Sequence, residues 1–239
     1  MAKAKTLEKM AAQLFIGALL LVSRVPYGAE KSTSREEGQF SIYVSGREVG
    51  KEKFVIQSSG NSITSNSTMN FRDPANKRRE VKLDTELAMD DRLVPLSYQL
   101  RSDVDGKKGV IKATFVSGQA TYEYQAGDGP GKAVLLVGDR YSILDTNIFH
   151  HFIFIARLFD LDSKEIRQSM EVVIPQEMQN GVLKVSSLGL EKISVRGKER
   201  ELHHLRADSG SVKIDLWIDN NRIVYKIAVL GKGIEVIRG

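Results

Sequence analysis

The chain contains no cysteine. That excludes a disulfide framework, thiol catalysis and cysteine-ligated metal sites. It also lacks long apolar runs after residue 22, so no later segment spans a bilayer as a helix. No G-x-S-x-G, H-E-x-x-H or P-loop string occurs. A strong excess of one charge is missing too. The whole chain carries +5, but residues 1–29 hold Lys3, Lys5, Lys9 and Arg24 against Glu8, a net of +3 that leaves +2 for the rest. A nucleic-acid surface needs a clustered basic face. The densest cluster is Lys77-Arg78-Arg79 beside Asp73-Pro74, which reads as a solvated turn. No nucleic-acid partner is expected.

What is present begins with residues 11–22, AAQLFIGALLLV, behind three lysines and ahead of Gly28-Ala29. A basic region, a short apolar core and small residues form the layout of a secretory signal, with cleavage expected near Ala29. The rival reading is an inner-membrane anchor. Twelve helical residues rise only about 18 Å, short of a hydrocarbon core of about 30 Å, which favours the signal. Residues 30–239 are then exported, and a cysteine-free exported chain of this size is stable on burial alone. A bacterial periplasm is the simplest location.

Residues 30–38, EKSTSREEG, are polar and read as a flexible mature N-terminus. From Gln39 to the end the hydrophobic period is two, as one β domain requires. Residues 80–89, EVKLDTELAM, put Val81, Leu83, Thr85, Leu87 and Met89 on one face and Glu80, Lys82, Asp84 and Glu86 on the other. Similar runs repeat every 10–15 residues: Phe40, Ile42 and Val44; Phe54 and Ile56; Leu96, Tyr98 and Leu100; Val212 to Ile218. Such spacing indicates a meander of hairpins. Asn220-Asn221 suits a two-residue hairpin turn.

One segment breaks the period. Residues 145–159, DTNIFHHFIFIARLF, are apolar almost all round a helix, with Asp145 placed as an N-cap. The expected fold is therefore all-β with one buried helix: a strongly curved antiparallel meander sheet, a half-barrel, wrapped around a central helix at about residues 145–160. The alternative for this segment is a pair of consecutive buried strands.

Chemistry-bearing patterns are sparse. The four histidines form two adjacent pairs, His150-His151 and His203-His204. Neighbouring side chains diverge, so neither pair alone chelates a metal. Gly127 to Gly131 is glycine-rich but opens no helix, as a phosphate cradle must. Asp160 and Asp162 read as loop and capping residues. No catalytic residue, metal site or cofactor is assigned, and the chain is read as a non-enzyme.

Three stretches carry a family resemblance: Phe40 to Gly50 (FSIYVSGREVG), Ile143-Leu144-Asp145, and the closing hairpin Ile214 to Val229 (IDLWIDNNRIVYKIAV). Through them the chain resembles, over about 39–239, periplasmic proteins of unknown function whose fold is similar to the lipoprotein-carrier type. That resemblance implies a curved sheet around helices and, from the lipoprotein-carrier relatives, a hydrophobic cavity for acyl chains. The bulky helix of this chain either borders that cavity or fills it. The expected function is binding or carriage of a lipid or other hydrophobic ligand, with Tyr98, Leu100, Tyr122, Tyr124, Phe149 and Phe152 as lining candidates. The plainer reading makes all six ordinary core. A second functional reading is an envelope-assembly protein that uses an exposed sheet edge and takes no small ligand.

Overall fold

In the strand β4 (Glu80–Asp90), Val81, Leu83, Thr85, Leu87 and Met89 are buried and Glu80, Lys82, Asp84 and Glu86 are exposed, as the alternation requires. The same rhythm builds the whole chain. The computed structural model describes residues 33–72, 79–126 and 129–239. The expected signal or anchor at residues 1–29 lies outside them, as do Lys77, Arg78, Gly127 and Asp128.

Ahead of β4 come β1 (Ser34–Val44), β2 (Arg47–Ser59) and β3 (Ser62–Arg72). After it come β5 (Pro95–Val104), β6 (Lys107–Val116), β7 (Gln119–Ala126), β8 (Gly129–Leu136) and the short β9 (Tyr141–Ile143). The helix α1 (His151–Leu158) follows. The remaining strands are β10 (Arg167–Ile174), β11 (Gln179–Val195), β12 (Lys198–Asp208), β13 (Lys213–Ile218), β14 (Val224–Val229) and β15 (Ile234–Arg238).

These strands form one sheet in the order β8 to β1, then β15 down to β9. Two meanders thus meet in the middle, where β1 pairs antiparallel with β15 from Phe40↔Arg238 to Val44↔Ile234. Pairing is antiparallel throughout except β9 with β10. Bulges interrupt the register at Ile42/Tyr43, Ala88/Met89, Ser187/Leu190 and Trp217/Ile218. Each bulge bends its strand and sharpens the twist. The sheet curls until its edges approach. Asn180 Nδ2 on β11 donates to the Leu136 carbonyl on β8 at 3.0 Å, and Tyr141 Oη donates to the Pro95 carbonyl at 3.3 Å. β8 and β9 do not pair, so the sheet stays a half-barrel.

Its inner face and α1 share one core, in which Ile153, Phe154, Ile155 and Ala156 are fully buried. The curved sheet wraps the helix, as expected from its apolar circumference. A second, small cluster of Val195, Leu202 and Trp217 lies apart from that core.

Four local expectations change. Residues 34–38 are the first part of β1, paired with β2 from Ser34↔Ser58 to Gly38↔Phe54. Glu36 anchors them: its carboxylate pairs with Arg157 at the end of α1 and accepts from Arg238 at 2.8 Å. At Gly38 a Cβ would lie 2.6 Å from the Phe54 ring, so this position needs glycine. Polarity there serves an ion-pair clamp between strand and helix.

The helix starts at His151, not Asp145, and no side chain of its own N-cap residue caps it. Residues 146–147 and 149–150 are turns. The closing hairpin uses a longer loop than two residues. Asp219 Oδ1 accepts the N–H groups of Asn221 and Ile223 at 2.9 Å, and the left-handed residue is Arg222, φ +64°, not an asparagine. Finally, Leu96 does not share a face with Tyr98 and Leu100. The bulge opposite Ala88/Met89 turns it outward, 47% exposed.

Candidate functional site

At one end of the half-barrel the inner face is not filled. Strand ends bring Val44, Val49, Phe71, Val81, Val104 and Ile234 together there. A cavity of about 560 Å³ opens between them, within the ~300–1,000 Å³ usual for small-molecule sites. Ile42, Met69 and Leu83 form the buried part of its wall, with Phe149 from the turn before α1. Its polar lining is Arg79, Ser102, Asn147, Gln176 and Lys232. No carboxylate is among its described lining residues.

Phe149 is held by a carboxylate from far along the chain. Glu52 alternates with Phe54 and Ile56 on β2, so its side chain must point inward, and it is fully buried. Its Oε2 accepts the backbone N–H of Phe149 at 2.9 Å and of His150 at 3.1 Å. Its Oε1 lies 2.6 Å from His150 Nδ1. Glu52 therefore satisfies orphan donors at the helix entry. Across the sheet it is registered with Met69, a second wall residue. The floor of the cavity is thus fixed by one buried acid.

A second buried acid holds the other side of the turn. Asp145 accepts from Tyr98 Oη at 2.6 Å and from the N–H groups of Thr146 and Gln176, both at 3.0 Å. Burial raises its pKa, and the bond from Tyr98 and those from Gln176 and Thr146 oppose the rise. The Asp145 N–H donates to His151 Nδ1 at 3.1 Å, so that nitrogen carries no proton. Burial, and the neighbouring His150, push the His151 pKa well below the ordinary histidine value. Burial first, then Asp145, raises Tyr98 well above a normal phenol.

These acids, imidazoles and phenol are sealed from solvent, each at most 4% exposed. They shape the cavity floor rather than face a solute. Among the described residues no three His, Asp or Glu side chains converge as a metal site. The two histidine pairs stay apart. His150 and His151 lie in the core, whereas His204 stacks on Trp217 at 4.6 Å and sits 2.8 Å from Glu191.

His151 makes stability pH-dependent with a definite sign. Unfolded, its imidazole takes a proton near pH 6.5. Folded, it stays neutral to a much lower pH. The unfolded state binds the extra proton, so stability falls as pH drops below about 6.5, by up to about 1.4 kcal/mol per pH unit. Asp145 acts oppositely: its raised pKa adds stability toward acid pH and loses it as pH rises through that value. Urea midpoints of wild type and His151→Gln, measured from pH 7.5 to 5, isolate the histidine. The wild type should lose more stability over that range. Parallel curves would show that His151 is protonated in the fold.

Of the six residues proposed from sequence, Phe149 lines the cavity. Tyr98, Leu100, Tyr122 and Phe152 belong to the filled core beside α1. Tyr122 Oη has no hydrogen-bond partner among the described residues, and burial, then Asp145 and Tyr141, push its pKa up to about 12. Tyr124 is half-buried, with its ring packed over Gly131 on β8, where a Cβ would lie 2.3 Å away. Sequence reasoning missed Glu52, Asn147, Gln176 and Lys232, and read Arg79 as part of a solvated turn. One signal was available: a glutamate on the apolar face of β2. The others sit in connecting segments between strands, where periodicity carries no information.

Two solved structures match the chain at low identity. A β-barrel-like protein of the domain of unknown function DUF1849 from Brucella abortus superposes with a TM-score of 0.57 at 12% identity, covering 87% of this chain and 94% of that one. A DUF1089 family protein from Pseudomonas aeruginosa gives 0.47 at 13% identity, covering 95% and 98%. The first likeness supports the curved sheet as a fold and nothing beyond it. No curated protein matches the chain in sequence. Most of β1, the apolar helix and every later strand except β15 fall within the residues, 39–233, over which the chain matches the protein family of unknown function DUF3108, and it belongs to that family.

Proposed function

We propose that this is an exported, non-enzymatic protein that binds a lipid or another hydrophobic ligand in the cavity at the α1 entry. The observation that carries the reading is an apolar hollow of about 560 Å³ beside an otherwise filled core. The helix occupies the centre of the half-barrel and leaves this end open. Two buried carboxylates brace the turn that forms its floor, so the hollow is built into the fold. Export rests on the secretory layout of residues 1–29. Among the described residues no helix is long and apolar enough to cross a membrane.

The test is titration with cis-parinaric acid, a fluorescent fatty acid, of the chain beginning at Glu30. Wild type should bind saturably at one site. Val49→Trp, at a half-buried wall position, should weaken binding about tenfold by filling the hollow, with little change in melting temperature. Equal binding by both proteins would place the ligand elsewhere. A second reading, an envelope-assembly partner, draws on the free edge strand β8, whose Val134 and Leu136 are 64% and 69% exposed. Absence of saturable binding across several lipid classes would favour that edge.

A further inference from the structure

Strands β11 and β12 outrun the rest of the sheet. β10 covers β11 only from Gln179 to Ser186, and β13 covers β12 only from His203 to Asp208. Among the described residues, Glu191 to Val195 and Lys198 to Leu202 therefore pair only with each other, as a hairpin arm. The arm begins at the bulge between Ser187 and Leu190, where Gly189 takes a φ of +93°. A bulge and a glycine together make a natural hinge. Side chains hold the arm down. Val195 and Leu202 share their small core with Trp217, flanked by Ile193, Tyr225, Ala228 and Ile237. The Arg200 guanidinium lies 4.4 Å over the Tyr225 ring.

At the base of the arm His204 sits between two carboxylates. Its Nδ1 lies 2.8 Å from Glu191 Oε2 on the arm, and its Nε2 lies 3.2 Å from Asp215 Oδ2 on β13. Its ring stacks on Trp217, with centroids 4.6 Å apart. The same Glu191 oxygen accepts the Trp217 Nε1–H at 2.9 Å. Asp215 also accepts from Arg206 Nε and Nη2 at 2.7 and 2.8 Å. Burial works to raise the Asp215 pKa, but Arg206 and then His204 hold it below the ordinary carboxylate value, so this acid stays charged. On β14, Lys226 Nζ lies 5.3 Å over the Trp217 ring and 2.6 Å from Glu235. The neighbouring His203 points to the other face, 2.8 Å from Asn220 Oδ1.

We propose that His204 is a proton-dependent latch for the β11–β12 arm. Protonated, its ring is drawn at once to Glu191 on the arm and to Asp215 on the sheet. Neutral, it leaves Glu191 with the Trp217 N–H alone. Histidine is the side chain whose charge ordinarily changes between about pH 5 and 8, while carboxylates, lysine and arginine keep theirs. Docking is therefore firmer in acid and loosens as pH rises. The whole fold moves the opposite way, because His151 is buried as a neutral ring and weakens it in acid. Arm opening and global unfolding are thus separable by the sign of their pH dependence.

Hydrogen–deuterium exchange of the purified protein reads the arm directly. Amides of Glu191 to Val195 and Lys198 to Leu202 are compared at about pH 5.5 and 8, after correction for intrinsic exchange rates. Protection at the higher pH should be about two- to fivefold lower, the scale of a partly exposed ion pair. His204→Gln and Glu191→Gln should each give equal protection at both values, and His203→Gln should keep the wild-type difference. Trp217 is the single tryptophan of the chain, so its fluorescence follows the charge on the stacked ring in the same samples. That titration step should vanish in His204→Gln and persist in His203→Gln. Equal arm protection at both pH values in the wild type, or a difference that survives His204→Gln, would overturn the latch. Arm protection lost in acid instead would assign the effect to His151 and overturn it as well.

Discussion

Glu52→Ala is expected to destabilise the protein by about 3–5 kcal/mol, because it leaves several buried donors without an acceptor. The carboxylate is fully buried and serves three donors at once: the N–H groups of Phe149 and His150 and the His150 imidazole. Alanine leaves all three without an acceptor in a space that excludes water. Each orphan carries its own desolvation penalty of about 1–3 kcal/mol. Partial relaxation of the turn keeps the sum below the simple total. Glu52→Gln separates the roles. Its amide oxygen accepts from the backbone, but it offers one acceptor atom where the carboxylate offers two, so about half the loss should return. Equilibrium unfolding in urea gives both values. A midpoint unchanged in Glu52→Ala would show that the turn before α1 does not depend on β2. Ligand binding should fall in parallel, because Phe149 is a cavity wall.

Phe152→Asp should have an effect at least as large. Phe152 is 5% exposed in the first turn of α1, inside the curl of the sheet. Losing the ring alone costs about 3–5 kcal/mol. The new carboxylate adds an unpaired buried charge, which costs several kcal/mol more unless it takes a proton. For a domain of ordinary stability, about 5–15 kcal/mol, the sum removes most or all of the fold. Phe152→Leu should cost only about 1.5 kcal/mol or somewhat more, since the site stays apolar. Circular dichroism melts of the three proteins measure this ordering. An Asp variant that melts with the wild type would place the helix at the surface and end the wrapped-sheet architecture.

Much of this molecule is local and was legible for that reason. Side chains alternate across a strand whatever it pairs with, so Val81 to Met89 declared their buried face without knowledge of β3 or β5. An apolar circumference likewise announced that Phe152 to Ala156 are enclosed. The turn chemistry was less legible. In the closing hairpin two asparagines suggested positive φ, yet Asp219 captures the loop amides and moves the left-handed position to Arg222. Leu96 fits the alternation on paper, and a bulge at Leu96 itself, opposite Ala88/Met89, turns it out. Polarity at Arg35-Glu36-Glu37 reads as solvation, because neither Arg157 nor Arg238 is near in sequence. In the fold both reach Glu36.

The sequence by itself determined the period of two, the single buried helix, the absence of thiol chemistry and the secretory layout of residues 1–29. Each follows from neighbours a few positions apart. Tertiary structure alone decided where the sheet bends, which end stays hollow and what holds its floor. Those outcomes depend on groups that meet only after the sheet has curled. Glu52 and His150 are 98 residues apart in the chain, and Arg79 and Lys232, 153 residues apart, line one cavity. An inward glutamate on β2 shows that a buried acid must find partners. Only the curl of the sheet, which brings the α1 entry against β2, determines which partners they are.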